Sequence, residues 1–387
     1  MNHRGLKSLI NLSVPIFLIL LSVYVPETSA QTQPSNLPPE AQEAMSRGLA
    51  AAKQQQWELA IKYFGEARKA APTSPEALFN LALASDKAGG RELIAIAWYR
   101  AYLAGAPKAT NTREVKARIA DLEVKTEVTN RKLIQKAKEM ESQVSESSSL
   151  KPFALLDIAR AQAKAGDLKS AHESIERALT LGRATMNYEQ WPLYHQKIAE
   201  ARAAAGDIVR AKEMANLISP DTSIQKHVAL ISIANFLVTA GDIAGAKETL
   251  GTVRKMLPGF SAIQELFIDL TFAEIVWELV KIGDIAGAKK TADSIKDGQK
   301  KTDALKEIAE AQARANREVH SWEKLAVNDL SRLSIPDWQG FIGALRDKKP
   351  YEVAQTLADA SSKVASALDK LRKNESYWQK RRLQSTR

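Results

Sequence analysis

The chain has 387 residues, 45% hydrophobic and 26% charged, a balance that excludes a disordered chain because disordered segments are poor in apolar residues. Alanine is abundant, glycine (18) and proline (14) are sparse, aromatics are 6% and cysteine is absent, so an all-α fold is expected and disulfides, thiolate metal sites and cysteine nucleophiles are excluded. The net charge of +10 gathers at one end: residues 363–387 hold eight basic against two acidic residues, and no Lys/Arg stripe runs along the body, which argues against a nucleic-acid partner.

Residues 1–30 read as an export signal. Arg4 and Lys7 precede an apolar run from Leu9 to Val25, and Thr28-Ser29-Ala30 ends it with small residues, so cleavage after Ala30 is expected. The competing reading is an uncleaved N-terminal anchor; the run carries Pro15 and Ser22 and is short for a ~30 Å bilayer core. The mature chain is then soluble, in the periplasm or secreted. Residues 31–39 form a Pro-rich linker.

A 34-residue rhythm opens at Ala41. Gly48, Ala60, Phe64, Ala67 and Pro72 recur as Ala82, Ile94, Trp98, Ala101 and, one residue late, Pro107. Small residues stand where two helices cross closely, large ones fill the gaps, and proline ends the second helix. Over about 40–108 this resembles two tetratricopeptide repeats, with the small residue at the eighth place, alanine at the twentieth, an aromatic at the twenty-fourth and alanine at the twenty-seventh. The resemblance implies helix-turn-helix stacking and a concave groove lined by the first helices. On this chain the groove positions are Met45, Leu49 and Lys53, then Phe79, Asn80, Leu83 and Asp86. Of the carboxylate clamp some such domains carry, only Asn80 fits; Met45 and Leu49 replace the other members. An apolar, mixed groove for a protein or peptide partner is therefore expected, rather than capture of a C-terminal carboxylate.

Residues 109–150 are expected to hold connecting helices, including a half-repeat. Ala137-Lys138-Glu139-Met140 matches Ala211-Lys212-Glu213-Met214, which places a second helix at about 129–145 and its first helix within 112–127. Residues 151–316 repeat another phrase. Gly166-Asp167, Gly206-Asp207, Gly241-Asp242 and Gly283-Asp284 each follow an apolar helix and precede an alanine (Ala171, Ala211, Ala246, Ala288). The glycine suits a left-handed helix end, and the aspartate suits an N-cap for the next helix. The longer steps between alanines place insertions in loops at 181–193 and 254–265. A fifth unit begins at Ala304, with Asn316-Arg317 at the turn. These units are also tetratricopeptide-like, without the aromatic signature.

Residues 317–387 are expected to form a C-terminal helical cap with a basic tail. Trp322 and Leu325 share one helix, Ser334, Pro336 and Asp337 start another with Trp338 and Phe341, and a long helix from about Tyr351 carries Val353, Leu357, Val364, Leu368, Leu371 and Trp378 on one stripe. The fold class expected is thus an all-α solenoid of helix-turn-helix repeats with that cap. The phrases GxxxxGK[ST], GxGxxG, GxSxG and HExxH are absent, and no Gly-Leu-Met-Gln follows Glu141-Ser142, Glu173-Ser174 or Glu375-Ser376, as the lytic transglycosylases of the envelope would require. No catalytic residue, metal site or cofactor is expected. His195, beside Tyr194 and Trp191 in a long loop, is an aromatic-histidine cluster suited to packing between units, with contact to a ligand as the alternative. The expected function is a non-enzymatic exported scaffold that binds a protein or peptide. The alternative is docking on an anionic lipid or cell-wall polymer through Arg372, Lys373, Lys380, Arg381 and Arg382.

Overall fold

A computed structural model describes residues 37–219, 224–256, 262–281, 285–312, 317–331 and 348–385, with Phe341 and Leu345 between the last two stretches. The export segment, Gly283-Asp284, Asn316 and the segment carrying Ser334 to Trp338 lie outside the described residues. The fold is all-α, with sixteen α-helices and no strand among the described residues. No helix among them is long and apolar enough to cross a membrane.

Four helices cover the stretch where two repeats are expected: α1 Pro39–Lys53, α2 Trp57–Ala70, α3 Pro75–Ala88 and α4 Glu92–Gly105. Each packs on the next. Pro39 and Pro75 sit in the first turns of α1 and α3, where a missing N–H costs nothing. Ser74 caps α3 by accepting from the Ala77 N–H at 3.2 Å. The small residue of the eighth place has a packing reason: a Cβ on Gly48 would overlap the Phe64 ring, which is buried in the same core.

One continuous helix, α5, runs from Thr112 to Ser142. The hairpin expected over 112–145 is therefore absent. No glycine or proline interrupts this stretch, and Leu122, Leu133 and Ala137 keep one face fully buried along its whole length, so nothing breaks the helix. Helix α6 (Lys151–Lys164) follows a tight turn that Lys151 holds from inside. Its ammonium is 2% exposed, donates to the Val144 carbonyl at 2.7 Å and lies 3.5 Å from Glu141 and 2.9 Å from Glu146.

Then come α7 Leu168–Thr185, α8 Trp191–Ala204, α9 Ile208–Asn216, α10 Ile224–Ala240, α11 Ile243–Lys255, α12 Ala262–Lys281, α13 Ile285–Ala292 and α14 Gly298–Gln312. The first helices of successive pairs, α6, α8, α10, α12 and α14, touch in sequence, and α7, α9, α11 and α13 each pack on the first helix of their own pair. The expected turn chemistry is present at each of the three described sites. Gly166, Gly206 and Gly241 have φ of 86°, 82° and 86°. Asp167, Asp207 and Asp242 accept from the third residue on, at 3.1, 3.4 and 2.8 Å. At each turn the aspartate N–H also bonds back five residues and the glycine N–H three, which satisfies the carbonyls the ending helix leaves open. The insertion expected as a loop at 181–193 is mostly helical: α7 extends to Thr185, a short 3-10 turn spans Tyr188–Gln190, and Trp191 already opens α8.

The C-terminal segment turns back onto the middle of the chain. Helix α15 (Arg317–Lys324) continues into a π-helical turn at Leu325–Asp329, and both pack on α4. Helix α16 (Pro350–Ser385) packs along α5 and α6. Its stripe is buried as expected, with Leu357 and Leu371 fully enclosed and Val353, Val364, Leu368 and Trp378 nearly so. As a result α1–α6, α15 and α16 share one core, while α8–α14 build another and α6–α8 a third.

Candidate functional site

The expected groove lies on α1 and α3. Met45 and Leu49 are half-buried, one helical turn apart, and lean on the core; Met45 also touches the small cluster of Ala44, Ala67 and Ala77 that joins α1, α2 and α3. Lys53, a turn further, is exposed. Phe79 and Leu83 are half-buried on α3. Phe79 meets Tyr99 edge-on at 6.1 Å and Tyr102 at 5.1 Å between ring centroids, so an aromatic wall rises from α3 to α4. Asn80 donates its amide to the Glu76 carbonyl within its own helix at 2.8 Å.

Asp86 faces inward. Its side chain is 4% exposed and receives two bonds from the Arg118 guanidinium of α5, at 2.8 and 2.7 Å, with the Tyr99 hydroxyl at 3.3 Å. Its carboxylate is therefore engaged by the fold. Burial first, then Asp86, pushes the Tyr99 hydroxyl far above its ordinary value, and the hydrogen bond to Asp86 raises Arg118. Met45 and Leu49 are half-buried on α1, Phe79 and Leu83 are half-buried on α3, and Asp86 anchors α3 to α5.

A second constellation escaped the sequence reading. Asp157 and Arg160 of α6, Lys197 and Glu200 of α8, and Gln355 and Asp359 of α16 form one polar seam. Arg160 binds Asp157 at 3.2 Å, Glu200 at 3.1 Å and Asp359 at 3.0 Å; Lys197 lies 3.6 Å from Asp157 and 3.7 Å from Glu200; Gln355 donates to Asp157 at 3.3 Å. Asp157 is 2% exposed, and burial lifts its carboxyl above the usual range although Lys197 and Arg160 pull it down. A signal was present: Arg160 and Glu200 stand two residues after Ile158 and Ile198, the same place in adjacent units, with opposite charge.

The basic tail is drawn into the fold rather than free of it. Arg372 pairs with Glu127 of α5, Lys373 lies 3.0 Å from Asp369 and also bonds the Thr239 carbonyl at the end of α10, and Arg382 pairs with Glu318 of α15. Arg381 donates to the Tyr377 hydroxyl at 3.0 Å and lies over the Trp378 ring, while Lys380 is exposed. The aromatic cluster packs between α6, α7 and α8. Tyr194 is fully buried, donates to the Ala178 carbonyl at 2.6 Å, and stands edge-on to Phe153 and Trp191, both at 5.7 Å. Trp191 covers His195 at 5.1 Å, and burial lowers the His195 pKa.

No protein-family model matches the chain, and no curated protein matches it significantly in sequence. What the geometry defines is therefore a class: an all-helical protein of tightly packed neighbouring helix pairs, compatible with a helical repeat.

Proposed function

We propose that the chain is an exported, non-catalytic α-solenoid of tetratricopeptide-like repeats, closed by a C-terminal helical cap, that binds a protein or peptide partner in the cell envelope. The observation that carries this reading is the apolar side of the first two repeats. Met45 and Leu49 are half-buried on α1, Phe79 and Leu83 are half-buried on α3, Phe79 meets Tyr99 and Tyr102, and the C-terminal helix packs on α5 and α6 rather than on α1 or α3. Half-buried aromatic and aliphatic side chains on paired helices suit the apolar anchors of a peptide or helix. The export signal motivates the compartment, with cleavage near Ala30.

The inward pairing of Arg372, Lys373 and Arg382 favours this reading over docking on an anionic surface through the tail. The test is retention of envelope proteins by the immobilised mature chain, against a Phe79→Lys variant of unchanged helicity. A specific partner kept by the parent and lost by the variant supports the groove. Equal retention by both removes the groove from the reading, and substrate turnover by the purified chain removes the non-catalytic part.

A further inference from the structure

We infer that the outer face of α5 is a self-association surface: it pairs with the same face of a second copy of this chain, the two helices running antiparallel about a two-fold axis at the level of Thr126. Leu122, Leu133 and Ala137 turn the inner face of α5 to the core. On the outer face Glu114, Asp121, Val124, Val128, Arg131 and Lys138 follow one stripe, set three, four or seven residues apart, and all six are exposed. Val124 is 60% and Val128 42% exposed. β-branched side chains lose freedom in a helix, so these two, in the middle of a 31-residue helix, bring the single chain no packing in return. Asp121 and Arg131 pair only within their own helix, with Arg118 at 2.5 Å and Glu127 at 3.9 Å, and stay 69% and 79% exposed.

The occupant follows from the order of the charges. On this stripe the acidic groups, Glu114 and Asp121, precede the valines, and the basic groups, Arg131 and Lys138, follow them. Reversing one helix against the other sets Val124 of one copy on Val128 of the other. In the same register Asp121 meets Arg131 and Glu114 meets Lys138, and the two-fold axis repeats each contact. Lys132, beside Arg131, falls opposite Ala120, so no two like charges meet along the stripe. A parallel pair would instead set Asp121 on Asp121 and Arg131 on Arg131, which is repulsive at every charged level. One register thus joins the apolar centre and both charge pairs, which is the self-complementarity that a two-fold interface between identical chains requires. Exposed ion pairs contribute little each, so the valines supply affinity and the charges fix direction and register. The contact is one helix wide, at the small end of specific interfaces, and the dimer is correspondingly weak and reversible.

The experiment is sedimentation velocity of the mature chain, which keeps every described residue, over rising protein concentration at low salt. The expected result is a monomer–dimer equilibrium. Val124→Gln combined with Val128→Gln weakens it by about tenfold or more, because the apolar area is lost on both copies. Leu168→Gln, at a leucine of α7 that is 47% exposed, leaves it unchanged. Asp121→Arg alone and Arg131→Asp alone each weaken association. Mixing these two variants, one of them labelled, restores a dimer of one copy of each, and combining both substitutions in one chain restores the homodimer. A variant weakened by misfolding is rescued in neither way. A chain that stays monomeric throughout overturns the surface. So does a dimer untouched by the double valine variant, and so do the two charge variants if they associate no better mixed than alone.

Discussion

Gly241→Ala isolates one term of the fold. Gly241 has φ of 86°, and nothing lies within 4 Å of the place its Cβ would take, so the substitution creates no clash and acts through the backbone alone. Holding a non-glycine residue in the left-handed region costs about 1–2 kcal/mol, which corresponds to an increase of roughly 5- to 30-fold in local opening. Asp242→Ala removes the cap on the Gly245 N–H, a 2.8 Å bond, and costs about 0.5–2 kcal/mol more. Gly241 joins α10 to α11, both within the α8–α14 core, while α2–α5 belong to the core shared with α15 and α16. Hydrogen exchange followed by mass spectrometry should therefore show faster exchange over residues 224–256 and unchanged exchange over 75–105. If both stretches speed up by the same factor, the chain unfolds as one cooperative unit and the separation into cores has no energetic meaning.

Gly65→Ala on α2 meets open space and should raise the thermal midpoint by the helix-propensity gain of about 0.5–1 kcal/mol, whereas Gly48→Ala meets the Phe64 ring and should lower it, since overpacking costs about 1–3 kcal/mol; equal shifts would contradict the close crossing of α1 and α2. Lys151→Met leaves the Glu141 carboxylate, 4% exposed, without its nearest cation and should cost about 3–5 kcal/mol by denaturant titration, while Lys169→Met on the surface should cost under about 0.5 kcal/mol. Asp157 has a raised carboxyl, so the folded chain holds that proton more tightly than the unfolded chain does; the stability of the parent minus that of Asp157→Asn should fall as pH rises from the ordinary aspartate value of about 3.9 through the higher folded value, and a difference that grows instead would reverse the sign of the burial effect. Truncation after Ser376 removes Trp378, 8% exposed, and the Arg382–Glu318 pair, so it should lower the thermal midpoint; Lys380→Gln with Arg381→Gln should not.

What could be read from the sequence was whatever depends on neighbours along the chain. The Gly-Asp turns were legible because a left-handed glycine and an N-cap are local chemistry, and three of them stand as expected. The stripe on α16 was legible because helical period alone sets it. The α5 helix was misread because a four-residue match to Ala211–Met214 was given more weight than the missing breaker between 112 and 142. Non-local pairings carried no local signal. Nothing near Ser361 shows that its hydroxyl donates to Asn130 at 2.6 Å, or near Arg118 that it reaches Asp86 at 2.7 Å. The engagement of Asp86 was not legible either, since one aspartate on a helix face reads the same whether it meets solvent or a guanidinium from a later helix.

The return of α15 and α16 changes what the basic end of the chain means. A polybasic tail attracts anionic surfaces when its charges are solvated and unpaired, at ~1 kcal/mol per residue. Here Arg372 faces Glu127 on α5, Arg382 faces Glu318 on α15, and Lys373 reaches the last turn of α10, so three of the five tail cations lie against three different helices. Each exposed pair is worth little by itself, about 0–1 kcal/mol. Together with the buried stripe of Val364, Leu368, Leu371 and Trp378 they fix the rotation and the axial position of a 36-residue helix that small side chains such as Ala365 and Ala367 would otherwise let slide. The same arrangement brings Lys363 and Ser362 opposite Lys164 and Arg160. The positive charge that composition places at the C-terminus is therefore distributed by the fold: part of it locks α16 to its neighbours, and part of it faces α6 across an open cleft.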